Sequence, residues 1–206
     1  MIYEVRSYRL KPRSVPQFLY VFGEAYEKRK EFSPLSAVLF TEVGPLNEVI
    51  HIWPYESYAE RDRIRAEAVK SGPWPPKGAE FIVDQKSEIF TPFPFVGEFG
   101  TGNLGPLFEW REYTVTTGMM PAVMKGWEES IDERRKASTL VIAMQTDTGV
   151  LSKYVHIWGY RDFAHRAEVR SDVLARGIWP PKGSPEGGLR YQENKLCLAA
   201  PFSPLQ

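Results

Sequence analysis

The first element that the hydrophobic pattern predicts is a β-strand at residues 2–10. Apolar and polar side chains alternate along this segment, so they point to opposite sides of an extended chain. One side carries the polar residues Glu4, Arg6 and Tyr8. A stripe at helical spacing follows, made by Val15, Phe18, Leu19, Phe22 and Tyr26. The two patterns predict a strand followed by an amphipathic helix.

Four further elements complete this unit. Strands are predicted at residues 35–43 and 48–55, joined by the turn-forming sequence Gly44-Pro45-Leu46-Asn47. A second helix at 57–70 begins with Ser57 and Glu60, which form a capping box, and a last strand is predicted at 81–90. The run AERDRIRAEAVK in this helix is typical of a solvent-facing helix with charge pairs four residues apart. This order of elements is the ferredoxin-like βαββαβ arrangement.

The same order of elements occurs twice. The sequence WPPKG stands at Trp74 to Gly78 and again at Trp179 to Gly183, and HIWPY at 51–55 matches HIWGY at 156–160. An offset of about 105 positions aligns the two copies without a gap from residue 3 to residue 78. We expect the two prolines to end the second helix and the tryptophan to cover the edge of a core. The repeat predicts a first domain at 1–95, a Pro/Gly-rich linker at 96–107 and a second domain at 108–206.

Two such units predict an α+β fold. Each unit is expected to form one antiparallel sheet with both helices on one face, which leaves the other face in need of cover. We therefore predict tandem ferredoxin-like units packed sheet to sheet as a fused dimeric α+β barrel with a pseudo-twofold axis. We expect the apolar strand faces to lie against the helices and the polar faces to line the space between the two sheets.

Composition excludes several classes of partner. Lys and Arg total 26 and Asp and Glu total 26, so there is no basic field to attract nucleic acid or an anionic membrane. Cys197 is the only cysteine, so no internal disulfide is possible. The chain has neither a signal-peptide pattern nor an apolar run of roughly 20 residues that would span a membrane. These features predict a cytoplasmic protein.

Polar residues that recur on the strands of both units are the candidate ligand-binding residues. In the first unit they are Glu4, Arg6, Tyr8, His51, Trp53 and Tyr55, and in the second Glu109, Arg111, Tyr113, His156, Trp158 and Tyr160. An arginine would hold an anionic oxygen, and aromatic rings would flank a planar molecule. One hypothesis is a pocket for a small anionic or aromatic molecule between the two half-barrels. The other is a non-catalytic scaffold, in which these groups only fasten the halves, and chains into a homo-oligomer.

The candidate catalytic residues are His51, His156, Arg6 and Arg111. A histidine would move a proton near neutral pH, which is compatible with an acid-base step or a cofactor-free oxygenation. The histidines have no paired metal-ligand spacing, and the chain lacks the glycine motifs that bind phosphate. We predict no metal and no cofactor, with haem binding through His51 or His156 as an alternative.

Four segments resemble domains of the NIPSNAP family. They are IYEVRSYRLKP and TEVGPLNEVIHIWPYESYAERDRIR in the first unit, and FEWREYTV and YVHIWGYRDFAHRAEVR in the second. The second unit departs from the pattern at Gly149-Val150-Leu151-Ser152, where the Pro and Asn of the first turn are absent. The resemblance implies the dimeric α+β barrel superfamily, which includes small monooxygenases, haem-degrading enzymes and haem peroxidases. It implies no agreed reaction for the family itself.

Overall fold

The computed structural model describes residues 1–72, 74–181 and 185–206. The first repeat forms β1 (Ile2–Leu10), α1 (Val15–Arg29), β2 (Ala37–Val43), β3 (Glu48–Tyr55), α2 (Tyr58–Lys70) and β4 (Ile82–Pro92). The second forms β5 (Leu107–Val115), α3 (Met120–Arg135), β6 (Thr139–Thr148), β7 (Lys153–Tyr160), α4 (Phe163–Ala175) and β8 (Leu189–Ala199). Lys182 and Gly183, which end the second WPPKG copy, lie outside the described residues. No helix in the described ranges is long and apolar enough to cross a membrane.

The eight strands close into one antiparallel barrel in the order β1-β3-β2-β8-β5-β7-β6-β4. Each repeat supplies four adjacent strands, and the repeats meet at two seams, where β2 pairs with β8 and β4 pairs with β6. Closure pairs the strand edges that each four-stranded sheet would otherwise expose. The predicted α+β barrel of two ferredoxin-like units is therefore confirmed.

The interior of the barrel is filled by apolar side chains from both repeats. Val5 on β1 and Ile50 and Ile52 on β3 are at most 3% exposed. They belong to one buried cluster with residues of the second repeat, among them Phe108, Trp110, Val155 and Ile157. Burial of apolar surface is the main stabilising term in such a core, so the two repeats depend on each other for stability.

Each repeat also covers a helix of the other repeat. Phe93 follows β4 and its ring lies 5.8 Å from that of Trp127 on α3. Phe202 follows β8 and stacks on Phe22 of α1 at 5.7 Å. Since Phe22 and Trp127 occupy matching positions in the two repeats, the exchange of aromatic contacts follows the pseudo-twofold symmetry of the barrel.

The tryptophans of the WPPKG sequences cover the layer between sheet and helices. Trp74 lies 5.4 Å from Phe22 and 5.5 Å from Trp53, measured between ring centroids. Trp179 lies 4.7 Å from Trp127 on α3. The Trp–Pro peptide bond is cis in both copies. The repeated sequence thus places an indole over the same part of the core twice, as expected from the sequence.

Candidate functional site

The polar strand faces lie against the helices rather than inside the barrel. The ring of Tyr8 is 6.0 Å from Phe18 of α1, and the ring of His51 is 5.0 Å from Phe22 of the same helix. The expectation that the polar faces line the space between the sheets is wrong. It fails for the twelve candidates Glu4, Arg6, Tyr8, His51, Trp53, Tyr55, Glu109, Arg111, Tyr113, His156, Trp158 and Tyr160.

The polar faces lie toward the helices because there the charged side chains find hydrogen-bonding partners of opposite charge. Most of the lumen is packed with apolar side chains such as Ile50 and Ile52, which offer nothing to hydrogen-bond a buried carboxylate. A charged group there would lose hydration without compensation unless it is paired, as Glu88 is with Lys153. Outside the sheet, the helices supply guanidinium groups. Each repeat therefore has its own candidate site between sheet and helices, and the two half-barrels do not share one.

In the first repeat, the site is built around the carboxylate of Glu4, which is 0% exposed. It accepts hydrogen bonds from Arg6 Nη1 at 3.0 Å, Arg61 Nη2 at 2.8 Å and Ser87 Oγ at 2.8 Å. Arg65 Nη1 lies 3.3 Å from the second carboxylate oxygen. We call these five residues the Glu4 cluster. One carboxylate thus faces three guanidinium groups.

The second repeat has the same arrangement around Glu109, which is also 0% exposed. Its carboxylate accepts from Arg111 Nη1 at 2.6 Å, Arg166 Nη2 at 2.7 Å and Asn194 Nδ2 at 3.1 Å. Arg170 Nη1 lies 3.6 Å from the other oxygen. We call these five residues the Glu109 cluster. Positive charge is in excess in both clusters.

The pKa of Glu4 shows how strongly the arginines act. Burial by itself would raise the pKa, but the hydrogen bond from Arg61 and the charges of Arg65, Arg61 and Arg6 outweigh it and lower the pKa to about 2. The pKa of Glu109 is likewise lowered against the effect of burial, chiefly by the hydrogen bond from Arg166 and the charge of Arg111. Both glutamates are therefore ionised at neutral pH.

The arginines of α2 correct the sequence interpretation of this helix as merely solvent-facing. Arg61 and Arg65 are four residues apart, so they lie on one side of α2 and both reach Glu4. Arg166 and Arg170 repeat this geometry in α4. Their identity at matching positions of the repeats was the available signal, since a purely solvent-exposed face would not require the same residues.

A further buried arginine in each repeat was missed by the sequence reasoning. Arg134 of α3 is 2% exposed, donates to Tyr160 Oη at 3.2 Å and Ser138 Oγ at 2.7 Å, and lies 4.0 Å from the ring centroid of Trp158. Arg29 occupies the matching position in α1 and makes the matching bonds. Burial lowers the pKa of both guanidinium groups. A basic residue repeated on an apolar helix face was again the signal.

The two strand histidines are neutral hydrogen-bonding groups. His51 Nδ1 accepts from Trp53 Nε1 at 2.7 Å, and His156 Nδ1 accepts from Trp158 Nε1 at 2.7 Å. The proton of each neutral ring is therefore on Nε2, which is buried without a hydrogen-bond partner among the described residues. Burial, assisted by the charge of Arg6, lowers the pKa of His51 to about 3.

Burial also lowers the pKa of His156 well below its ordinary value. With these lowered pKa values, the two histidines are better suited to donate a fixed hydrogen bond from Nε2 than to transfer a proton near neutral pH. A catalytic role for His51, His156, Arg6 or Arg111 stays a prediction. The residues described contain no group of three or more His, Cys, Asp or Glu side chains that could hold a metal ion.

A cavity of about 410 Å³ lies beside the Glu109 cluster. Its polar wall is formed by Arg111, Arg134, Arg170, Tyr113, His156 and Tyr160, and its aromatic wall by Trp127, Tyr154, Trp158 and Trp179. In the first repeat, a groove of about 610 Å³ is lined by Arg6, Tyr8, Arg65 and Trp74, among others, but not by His51, Trp53 or Tyr55. The second repeat thus brings five of its six predicted residues to one cavity, whereas the first brings two to its groove.

The side chain at one helix position differs in size between the two sites. Phe18 on α1 is 0% exposed, and its ring lies 6.0 Å from Tyr8 and 5.9 Å from Phe22. Val123 stands at the matching position of α3 and lines the cavity of the second repeat. Phe18 also lines the groove of the first repeat, so a phenyl ring bounds that groove where the smaller valine bounds the cavity of the second repeat.

Comparison of sequences agrees with this architecture. The family model described as NIPSNAP matches residues 3–96 and 108–204. Human Protein NipSnap homolog 3A is 34% identical over 219 residues, which cover 100% of this chain and 86% of that protein. Protein NipSnap homolog of Dictyostelium discoideum is 38% identical over 73 residues, which are 35% of this chain and 33% of that protein.

Comparison of structures extends over the whole barrel. A solved structure from Lactobacillus acidophilus superposes with a TM-score of 0.68 over 99% of this chain and 96% of that one, at 8% sequence identity. An anthrone oxidase-like protein gives a TM-score of 0.58 over 100% of this chain and 94% of that one, at 9% identity. The fold is that of a dimeric α+β barrel whose halves are joined in one chain. With both repeats matched by its model, the chain belongs to the NIPSNAP family.

Proposed function

We propose that the protein binds a small aromatic carboxylate in the cavity of the second repeat. The observation that carries this proposal is the excess of guanidinium groups at the Glu109 cluster, two of which, Arg111 and Arg170, line an aromatic cavity of about 410 Å³. Arginine binds carboxylates through paired, charge-assisted hydrogen bonds. The indole rings of Trp127, Trp158 and Trp179 would pack against the planar part of the ligand.

His156 supports the same assignment. Its Nε2 group is a buried donor without a partner among the described residues, and the residue lines the cavity. Leaving a buried donor unsatisfied costs about 1–3 kcal/mol. An acceptor oxygen that reached this nitrogen would remove that cost.

A panel of carboxylates with matched neutral controls tests the proposal. We expect benzoate, phenylacetate or indole-3-acetate to quench the fluorescence of the cavity tryptophans and to raise the unfolding temperature. A ligand at a hundred times its dissociation constant should stabilise the fold by about 2.7 kcal/mol. The corresponding amides, which lack the charge, should bind at least tenfold more weakly. Failure of every carboxylate in the panel would contradict the proposal. Oxygen uptake is worth following in the same samples, because one structural neighbour is an anthrone oxidase-like protein.

The position of Phe18 and Val123 provides a matched pair of variants. Val123→Phe puts a larger side chain into the wall of the cavity of about 410 Å³, and we expect it to weaken binding more than a hundredfold. Phe18→Val changes the matching position of the other repeat and should leave the affinity within about twofold. Circular dichroism would verify that both variants fold. If Val123→Phe bound the ligand as tightly as the native chain, the site would lie elsewhere.

The scaffold hypothesis makes a different prediction for the strand arginines. Arg111 and Arg6 each donate to a buried glutamate, so replacing either one lowers stability under both hypotheses. Only ligand binding distinguishes the two sites. We expect Arg111→Gln to weaken carboxylate binding at least tenfold, in line with the loss of a hydrogen bond to a charged group, and Arg6→Gln to leave it unchanged. Equal effects of the two variants on affinity would contradict the assignment of the ligand to the second repeat, and no carboxylate binding by the native chain would support the scaffold.

A further inference from the structure

Two ion pairs connect the repeats across the seams of the barrel. Lys153 Nζ, at the start of β7, is 2.7 Å from both carboxylate oxygens of Glu88 on β4. Lys195 Nζ, on β8, is 2.9 and 2.7 Å from the two oxygens of Glu48 at the start of β3. Each pair therefore joins the first residue of one strand with the last strand of the other repeat.

These four residues occupy only two distinct positions of the repeat. Glu48 and Lys153 are the first residues of the matching strands β3 and β7. Glu88 lies opposite Val5 in the barrel, and Lys195 lies opposite the matching residue Trp110. The charges at both positions are thus reversed between the repeats. The first repeat supplies both carboxylates, and the second supplies both ammonium groups.

The turns that precede β3 and β7 pack closely against Lys195 and Glu88, respectively. Gly44 has φ +116°, and a Cβ added to it would lie 2.9 Å from Lys195 Cβ. Gly149, its counterpart, has φ +131°, and an added Cβ would lie 2.8 Å from Glu88 Cγ. Only glycine combines this backbone conformation with so close an approach. Val150 N also donates to Glu88 Oε1 at 3.2 Å, so the turn itself binds the partner strand.

We propose that this charge reversal makes the two repeats recognise each other and prevents like repeats from pairing. Two first repeats joined in the same way would place Glu48 against Glu88 at both seams. Two second repeats would place Lys153 against Lys195. The side chains of Lys153 and Glu88 are 2% and 4% exposed, so water would not screen such a repulsion. The partner that fits the seam of the first repeat is a lysine-bearing second repeat.

Two neighbouring charges modify the seam without replacing the pairs. Lys86 Nζ lies 3.1 Å from Glu88 Oε2, but its side chain is 49% exposed. Glu112 Oε1 lies 3.1 Å from Lys153 Nζ and is 22% exposed. Both can turn toward water, whereas the Glu88 and Lys153 side chains cannot. The reversed pairs therefore determine which combination of repeats is favourable.

Charge substitutions in the full chain test this recognition. Glu48→Lys with Glu88→Lys creates seams between two lysine-bearing repeats, and Lys153→Glu with Lys195→Glu creates seams between two acidic repeats. We expect each double variant to raise the unfolding equilibrium constant more than a hundredfold in urea titrations, as expected when a buried pair is broken. The fourfold variant restores complementarity with reversed polarity and should return to within about tenfold of the native chain. If the fourfold variant lost as much free energy of unfolding as the sum of the losses in the two double variants, the proposal would be overturned.

A smaller cycle keeps the test decisive if a double variant fails to fold. Glu48 and Lys195 form the more exposed pair, at 13% and 15%, so Glu48→Lys and Lys195→Glu can each be compared with their combination. Recovery in the combined variant supports the proposal, and simple addition of the two losses contradicts it. The exposed pair Glu27 and Lys30 serves as a control, where reversal should cause no measurable coupling.

Discussion

Replacing Glu4 with glutamine is expected to lower the free energy of unfolding by about 3 kcal/mol. The substitution keeps the shape of the side chain but leaves Arg6, Arg61 and Arg65 without their shared counter-charge. Breaking a buried pair by removing one partner typically costs about 3–5 kcal/mol. The three guanidinium groups are 17%, 20% and 36% exposed and can turn partly toward water, which favours the lower end of that range.

Urea unfolding of the native chain and the variant at neutral pH measures this loss. Glu109→Gln should behave in the same way, because Glu109 has the same three kinds of arginine partner. Glu27→Gln provides the control, since the Glu27 side chain is 64% exposed and its ion-pair partner within the described residues is Lys30. We expect its effect to stay below about 0.5 kcal/mol. A loss under about 1 kcal/mol for Glu4→Gln would mean that the arginines do not depend on this carboxylate.

The repeat made the architecture predictable, but not the orientation of its strands. Alternation in β1 establishes that Glu4 and Val5 face opposite ways. It does not establish which of them faces a helix. That choice is made by closure of the barrel, which encloses Val5 and its neighbours on one face and leaves the other face within reach of α2. Glu4 therefore lies where Arg61 can reach it, and Val5 fills the lumen.

The sequence predicted the strand residues of the candidate site but not the helix arginines that complete it. The strand residues Glu109, Arg111 and His156 could be found because they recur in both repeats. Arg166 and Arg170 recur as well, yet a helix rich in charge gives no direction for any one side chain. The spacing of four residues becomes informative only when the buried carboxylate that both arginines approach is known.

The difference between the two pockets was beyond the reach of sequence reasoning. Val123 stands where the first repeat has Phe18, and in a sequence both are simply apolar residues of a helical stripe. Whether a smaller side chain leaves a cavity depends on how far its neighbours relax. Here the neighbours include Trp127 and Trp179, whose ring centroids lie 4.7 Å apart, and a cavity of about 410 Å³ is present beside them.

Acidification is expected to start destabilising this protein near pH 6.5, which is well above the pH at which carboxylates usually titrate. The pKa of His51 is lowered from 6.5 to about 3 by burial, so below pH 6.5 the unfolded chain binds a proton that the folded chain rejects. The pKa of Glu4 is lowered from 4.5 to about 2, so below pH 4.5 the unfolded chain takes up a second proton. In both cases the folded state binds fewer protons, and stability falls as the pH falls.

The contribution of the histidines can be measured separately from that of the glutamates, because as the pH falls the unfolded chain protonates its histidines before its glutamates. Between pH 6 and pH 5 the native slope should come mainly from His51 and His156, and each fully mismatched proton contributes about 1.4 kcal/mol per pH unit. His51→Gln keeps a side-chain acceptor for Trp53 but does not titrate, so it should remove about half of that slope. The measurement is the free energy of unfolding in urea at half-unit steps from pH 7 to pH 4. An unchanged slope in His51→Gln would show that His51 accepts a proton while the protein remains folded, which the burial of its ring to 1% exposure opposes.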